Sequence, residues 1–197
     1  VTPEDLRKER NIAASKAKYY IASVSGYDIA RADFTRELNA VRQRVRKAYG
    51  DDILKTAQGR ELDNRLKGQV ASRLIDEGIL LQQITKSGYK LNANKLDNEL
   101  KKFIKDSGKN EKEFQQSIKD DGYDYEYFKK RFETRLLINR YLDDKIMAGA
   151  SSQYEKQNMF ANWFKNSQLL AEVIYYDKDL ENAVRNSKAS GGCGASR

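Results

Sequence analysis

Side chains that could carry out chemistry are few in this 197-residue chain. It contains no histidine and a single cysteine, Cys193, which excludes histidine-dependent catalysis, cysteine zinc clusters and intrachain disulfides. We expect a thiol between glycines, in the segment SGGCGASR, to be exposed and unhindered. Cys193 could therefore form a mixed disulfide, bind a soft metal together with a second chain or attach another molecule, and an inert tail is the alternative. The sequence predicts no cofactor and no metal site within the chain.

Two adjacent carboxylates, Asp76 and Glu77, look like a catalytic pair in the sequence. Neighbouring residues on a helix point about 100° apart, so the two carboxylates do not face one substrate together. The spacing favours helix capping or ion pairing with Arg73 over catalysis.

A basic run contributes to the formal net charge of +8. It consists of Arg42, Arg44, Arg46 and Lys47, with Arg36, Arg60, Arg65 and Lys67 nearby. Such a run could bind nucleic acid, an anionic membrane surface or acidic polypeptides. Acidic residues are interspersed among these cations and no nucleic-acid recognition motif accompanies them, so a solvated helix face is the favoured interpretation.

The composition favours long amphipathic helices over a sandwich, barrel or doubly wound sheet. Charged residues make up 34% of the chain, and there is one proline. No apolar run approaches the roughly 18–20 residues of a membrane span. Because no basic and then apolar leader follows Val1, we expect either a cytoplasmic protein or one whose secretion signal has been removed.

Hydrophobic periodicity predicts a mostly α-helical domain closed by two strands. Between residues 31 and 166, apolar residues recur every three or four positions, and glycine or asparagine marks the helix ends. Residues 19–25 (YYIASVS) and 170–176 (LAEVIYY) are instead rich in aromatic and β-branched residues, as strands are. Because a lone strand leaves its backbone groups unpaired, we expect these N-terminal and C-terminal strands to pair antiparallel.

The same pattern divides the chain into three parts. Residues 1–18 should form an N-terminal helix that starts at Thr2-Pro3-Glu4-Asp5, and residues 19–181 should form the helical domain. Residues 182–197 read as a flexible Gly/Ser tail. The apolar residues between Leu74 and Ile84 surround their helix almost completely, which predicts that this stretch is the most buried part of the chain.

Three stretches resemble the chaperone domain of the SurA/PrsA/PpiD type, which is also similar to part of trigger factor. Val24-Ser25-Gly26, followed by Ile29 and Asp33-Phe34, resembles its opening motif V-N-G-x-x-I-T-x-x-E/D-F. Residues 74–82 (LIDEGILLQ), with Gly88 and Leu91-Asn92 after them, resemble L-I-D-E-x-L-L-x-x-x-A-x-x-x-G-x-x-V-S/T. Trp163 followed by residues 171–176 (AEVIYY) resembles the closing motif W-L-x-x-L-R-x-x-A-x-I-x-I-Y. The three motifs keep the family's order and spacing.

The resemblance implies an extracytoplasmic, periplasmic type of chaperone domain that holds unfolded or membrane-bound polypeptides in an apolar cleft between helices. Ala30 departs from the family's capping Thr or Ser, so the following helix should start more loosely. Many members carry a parvulin-type prolyl isomerase domain with histidines and a GGDLG strand. Here only residues 147–166 occupy that interval, without this motif, and the chain is therefore predicted not to be an enzyme.

Client polypeptides are recognised through exposed apolar surface with flexible rims. The predicted client-binding residues are Tyr125, Tyr127, Phe128, Met159, Phe160 and Trp163. The alternative, that these side chains form the core of a small helical domain, stays open at this point, above all for Phe128 and Trp163.

The function that the sequence favours is a non-catalytic extracytoplasmic chaperone that holds unfolded or partly folded polypeptides and does not bind nucleic acid. One alternative is a dedicated assembly or scaffold partner of one protein, with Cys193 as an attachment point. Another is a basic helical nucleic-acid binder. Proximity to a membrane surface, and a strand-exchanged homodimer in place of a monomer, also stay open.

Overall fold

The structure, a computed structural model, describes residue 2 and residues 14–191. The described residues form two compact units, divided between Ile79 and Leu80 and again between Leu170 and Ala171. We call residues 14–79 with 171–191 the strand unit, and residues 80–170 the helical unit. The predicted N-terminal helix lies mostly outside the described residues, although residues 14–17 are helical, and Cys193 lies outside them as well.

Helices dominate both units, which confirms the predicted mostly α-helical class. The strands are β1 (Tyr20–Val24), β2 (Tyr27–Ala30) and β3 (Val173–Tyr175). The helices are α1 (Arg31–Tyr49), α2 (Ala57–Ser87), α3 (Ala93–Asp106), α4 (Glu111–Asp120), α5 (Tyr125–Tyr141), α6 (Gln153–Leu170) and α7 (Lys178–Gly191). A 3₁₀ turn (Ile53–Lys55) precedes α2, and a π-helical turn (Leu142–Ile146) follows α5.

The predicted pairing of the terminal strands is confirmed, and the sheet has a third strand. β1 lies between β2 and β3 and is antiparallel to both, with Ser23 opposite Ile174 on β3. β2 was not predicted from the sequence. It is only four residues long and follows β1 after a tight turn at Ser25 and Gly26, both of which have positive φ.

Arg31 holds the corner where the sheet leads into α1. The preceding Ala30 provides no side-chain cap, as expected from its departure from the family motif. The backbone N–H of Arg31 donates to the carbonyl of Tyr19 at 2.8 Å. Its guanidinium donates to the carbonyl of Ala17 at 3.0 Å and to the carboxylate of Asp177 at 3.3 Å. The Arg31 side chain therefore links the start of α1 to the residues just before β1 and just after β3.

Helix α2 packs against the sheet at Gly78. A Cβ at this position would lie 2.6 Å from Cδ1 of Ile29 and 3.3 Å from Cγ2 of Val24, so glycine permits the close approach. The buried apolar core of the strand unit includes Ile21, Val24, Ile29, Phe34, Leu38, Leu66, Val70, Leu74, Ile75 and Ile79. The predicted burial of the stretch from Leu74 to Ile84 is largely correct, although β1 is buried more completely.

The segment after residue 177 is helical, which corrects the predicted flexible tail from residue 182 as far as Gly191. The carboxylate of Asp177 accepts a hydrogen bond from the backbone N–H of Leu180 at 3.1 Å and so caps α7. Leu180 and Val184 are both buried. Two apolar residues one turn apart are too weak a periodic signal to reveal a helix in an otherwise polar segment.

In the helical unit, side-chain caps set the helix starts. Asn110 forms a capping box at the start of α4, and Asp124 caps α5. Asn92 caps α3: its side chain accepts from the backbone N–H of Asn94 at 2.9 Å. Each described helix is too short or too polar to span a lipid bilayer.

Candidate functional site

The predicted client-binding residues all lie in the helical unit, but the structure separates them into two groups. Tyr125, Tyr127 and Phe128 lie in the first turn of α5, whereas Met159, Phe160 and Trp163 lie in the middle of α6. Phe160 and Trp163 of the second group pack at the other end of α5, near Tyr141. Since Phe128 and Tyr141 are 13 residues apart at about 1.5 Å per residue, roughly 20 Å of helix separates the two groups.

Tyr127 is part of the core, which corrects its place in the predicted surface. Its side chain is 3% exposed, and its ring stacks on Tyr123 with the centroids 5.9 Å apart. Its backbone N–H donates to the capping carboxylate of Asp124 at 2.7 Å. Tyr127 therefore stabilises the start of α5 and offers almost no surface to a ligand.

Phe128 belongs to a cluster of four phenylalanines from α3, α4 and α5. The members of this phenylalanine cluster are Phe103, Phe114, Phe128 and Phe132. Tyr125 stacks on Phe128 at 6.2 Å, and burial is the main cause that raises the pKa of its phenol. Phe103 is the exposed member. Phe128 and Tyr125 thus act mainly as packing residues, while Phe103, which was not predicted, faces solvent.

The α6 group combines exposed and packed side chains. Met159 is 39% exposed. The ring of Phe160 stacks on that of Phe164 at 5.5 Å, and the ring of Trp163 contacts Tyr141 at 6.1 Å. Phe160 and Trp163 are partly buried against a core formed by Ile84, Ile138, Tyr141 and Leu142. The alternative that the predicted client-binding side chains form a core is therefore partly correct for Phe160 and Trp163.

Two leucines at the end of α6 are exposed and were not predicted as surface residues. Leu169 is 76% exposed and Leu170 is 82% exposed. The sequence pattern predicts a helix that ends near residue 166 and a strand that starts at Leu170, so these side chains were not among the predicted surface residues. We call Met159, Leu169 and Leu170, with the partly buried Phe160 and Phe164, the α6 apolar surface.

The first turn of α6 is fixed by polar contacts. Glu155 accepts hydrogen bonds from the backbone N–H and the hydroxyl of Ser151, both at 2.7 Å, and these bonds lower the pKa of the Glu155 carboxyl. Lys156 lies 3.5 Å from the carboxylate of Asp143 on the π-helical turn. These contacts anchor the helix that carries the α6 apolar surface.

The basic run lies in the strand unit, and several of its cations are paired. Arg42 contacts both carboxylate oxygens of Asp63, at 2.6 and 2.7 Å, and Lys67 approaches the same carboxylate at 3.1 Å. The hydrogen bond from Arg42 is the main cause that lowers the pKa of Asp63. Arg73 donates to the buried carboxylate of Glu37 at 2.6 Å. The part of the run that contacts α2 thus serves packing between helices.

Among the described residues, no group of three histidine, cysteine or acidic side chains is placed to hold a metal ion. The carboxylates of Asp76 and Glu77 belong to the strand unit, on the same helix as Arg73. Cys193 remains a prediction, because it lies outside the described residues.

The mostly helical chain, in which β1 pairs with β3, has relatives of known family. The family model described as "SurA-like N-terminal domain" matches residues 8–142. The chain belongs to this family. This membership confirms the family resemblance found in the sequence.

The curated relatives of this SurA-like domain include foldases. "Foldase protein PrsA" of Clostridium botulinum strain Langeland is 30% identical over 187 residues, which cover 87% of this chain and 54% of the relative. The proteins of the same name from the Kyoto and Okra strains are 29% and 28% identical with the same coverage. The chain spans about half the length of the curated relatives it matches. It is thus a member of a family of chaperones and foldases.

Proposed function

We propose that this SurA-like domain is an extracytoplasmic chaperone that holds unfolded polypeptides on the α6 apolar surface without catalysing a reaction. The observation that carries the proposal is the exposure of Met159, Leu169 and Leu170 on one helix of a chain whose relatives are named foldases. Met159 and Leu170 are eleven residues apart, about three helical turns, and so lie on the same side of α6. Large apolar side chains exposed on one side of a helix indicate an interaction site.

The α6 apolar surface suits clients without a fixed shape. Methionine adapts to different partners because its side chain is unbranched and polarisable, and the leucines project at the end of the helix. The stacked pair Phe160 and Phe164 adds a partly buried aromatic surface on the same helix. Unfolded chains expose apolar side chains of many shapes, and an adaptable surface can bind them without requiring one sequence.

The extracytoplasmic location is part of the proposal and rests on the family resemblance. A dedicated assembly partner would use the same surface for one protein, and client identification would reveal a single species. The paired cations around Asp63 favour polypeptide binding over nucleic-acid binding. If nucleic acid were the ligand, affinity would fall steeply with the logarithm of salt concentration.

The test is a triple variant of the exposed residues, Met159→Ser, Leu169→Ser and Leu170→Ser. A matched control replaces three exposed apolar residues of the strand unit, Tyr19, Tyr49 and Ile174, by Ser. We expect the α6 variant to suppress aggregation of a denatured client at least tenfold less effectively. Each apolar side chain buried on binding contributes on the order of 1–3 kcal/mol.

Thermal melting of the same variants separates binding from folding. The α6 variant should melt close to the parent protein, because its three replaced side chains are exposed. If it melts normally and still protects the client as well as the parent does, the α6 apolar surface is not the client site. If the strand-unit control loses protection equally, the binding surface lies elsewhere or is spread over the molecule.

A further inference from the structure

A groove on the helical unit carries a set of lysines that the proposed chaperone function does not use. The groove has a volume of about 530 Å³ and lies beside α3, α5 and the connection that precedes α3. Lys90, Lys95 and Lys102 line it, and Leu91 and Leu136 supply apolar surface. Its volume lies in the range of ligand-binding pockets.

The acidic and basic side chains that line the groove differ in whether they have hydrogen-bond or ion-pair partners. Its two carboxylates have partners: Glu99 accepts from Arg140 at 2.6 Å, and Asp144 accepts from the hydroxyl of Tyr89 at 2.5 Å. The hydrogen bond to Asp144 is the main cause that raises the pKa of Tyr89 to about 12, so the phenol adds no negative charge at neutral pH.

The two carboxylates of the groove have partners, whereas its three lysines lack ion-pair partners among the described residues. Within the part of the chain that the structure describes, none of Lys90, Lys95 and Lys102 has an ion-pair partner. Lys95 and Lys102 are seven residues apart on α3, two helical turns, and therefore share one face. The groove thus presents three ammonium groups around an apolar patch, with a net positive charge.

Aromatic rings of the core link one wall of the groove to α6. Tyr89, which lines the groove, contacts Tyr141 edge to face at 5.5 Å. Tyr141 in turn contacts Trp163 of α6 at 6.1 Å. Because Tyr141 is buried, these rings hold the groove wall in place and do not form a path for a ligand.

We propose that the lysine-lined groove binds acidic segments of client polypeptides that also carry apolar residues. The inference rests on the proposed chaperone function and names the class of client. Charge complementarity favours carboxylates opposite the three lysines, and Leu91 and Leu136 favour apolar side chains between those carboxylates. A membrane is the less suitable partner, because a flat lipid surface does not enter a concave groove.

The experiment uses a short labelled peptide that alternates glutamate with leucine, and the same peptide with every glutamate replaced by glutamine. Fluorescence anisotropy measures the affinity of the full chain for each peptide. We expect tighter binding of the glutamate peptide, with a preference that weakens as the salt concentration rises. The groove variant K90Q/K95Q/K102Q should lose affinity for the glutamate peptide by about tenfold, as three exposed ion pairs would provide.

A matched control removes the same number of charges from the same region. Lys101, Lys105 and Lys109 are exposed and do not line the groove, so K101Q/K105Q/K109Q should retain most of the affinity for the glutamate peptide. Equal losses in the two variants would overturn the inference, because they would show an effect of net charge alone. Equal affinity of the parent protein for the two peptides would overturn it as well.

Two further measurements separate this inference from other outcomes. If the parent binds vesicles containing phosphatidylglycerol through the same lysines and does not distinguish the peptides, the groove binds membranes and the inference is wrong. If the parent distinguishes the peptides but does not suppress aggregation of a denatured client, the chaperone proposal fails while the peptide selectivity stands. Suppression of aggregation without peptide selectivity would leave the chaperone proposal intact and overturn the groove assignment.

Discussion

The backbone of Ala183 lies directly against Gly68, so α7 approaches α2 more closely than a side chain at that position would permit. A Cβ on Gly68 would overlap the carbonyl oxygen of Ala183 and would lie 3.0 Å from the Cβ of Ser187. Leu180 and Val184 are buried on the same helix. The contact therefore depends on the absence of a side chain on α2 and on two apolar residues of α7.

Replacing Gly68 by alanine should destabilise the protein. Alanine favours a helix over glycine by about 1 kcal/mol, but overpacking against the backbone of α7 costs typically about 1–3 kcal/mol. We expect a lower melting temperature for Gly68→Ala and an unchanged or higher one for Gln69→Ala at the neighbouring exposed position. A melting temperature that rises in both variants would show that α7 does not pack against Gly68.

Truncation distinguishes the contribution of β3 from that of α7. A chain that ends after Asp177 keeps β3 but loses α7, whereas a chain that ends after Gln168 loses both and leaves one edge of β1 without hydrogen bonds. Each buried backbone group left unpaired costs about 1–3 kcal/mol. The parent should melt at the highest temperature, the chain that lacks α7 at a lower one, and the chain that lacks both β3 and α7 at the lowest. Equal melting of the two truncated chains would contradict a stabilising role for β3.

Local sequence signals predicted the parts of the fold that depend on neighbouring residues. Asparagine marks a helix start at Asn110, where the capping contacts involve groups within three positions. The strand pairing was predicted because a lone strand leaves its backbone groups unpaired and only two segments had strand character. The arguments that succeeded needed no knowledge of long-range packing.

The features that were missed depend on contacts between distant residues. α7 is held through Gly68, more than a hundred positions earlier in the chain, and nothing in its own polar sequence shows this. The candidate site had the same difficulty: Tyr127 and Met159 both occur in aromatic-rich helices, yet one is buried and the other exposed. Periodicity gives the apolar residues of a helix but not which of them a neighbouring helix covers.

The ion pair of Arg42 and Asp63 predicts a pH dependence of stability. Since the pKa of Asp63 is lower in the folded protein than its usual 3.8, the pair stabilises the fold above the unfolded pKa, and this stabilisation disappears as the pH falls through the folded value. Asp63→Asn should lower the free energy of unfolding at neutral pH by about 1 kcal/mol or less, because the pair is partly exposed. The melting temperature should fall accordingly.

Melting temperatures measured at several pH values test whether the charge of Asp63 stabilises the fold. The difference in melting temperature between the parent and Asp63→Asn should shrink below pH about 4. Asp52→Asn, which removes the fully exposed pair with Lys55, should change the melting temperature less at every pH. A difference for Asp63→Asn that stays constant down to pH about 2 would show that the charge of Asp63 is not what stabilises the fold.

The chain should not accelerate prolyl isomerisation. It contains no histidine, and its sequence has no segment that resembles the glycine-rich strand of a parvulin domain. We expect a proline-containing tetrapeptide to isomerise at the uncatalysed rate, on a time scale of tens to hundreds of seconds at 25 °C, in the presence of micromolar protein. A measurable acceleration that increases with protein concentration would contradict the non-catalytic proposal.

Tyr127 is buried and Met159 is exposed. Replacing each of them tests directly which side chains stabilise the fold and which bind clients. Tyr127→Ala removes a core side chain, and large core truncations cost roughly 3–5 kcal/mol, so this variant should melt well below the parent. Met159→Ala removes an exposed side chain from a helix in which alanine is well tolerated, and its melting temperature should change little.

Client binding should show the opposite order. At a temperature where both variants are folded, Met159→Ala should protect a denatured client less well than the parent, because an apolar contact made on binding is lost. Tyr127→Ala should protect nearly as well, since its side chain offers almost no surface. If Tyr127→Ala is folded and loses protection while Met159→Ala retains it, clients bind near the start of α5, and the phenylalanine cluster with its exposed Phe103 becomes the surface to test.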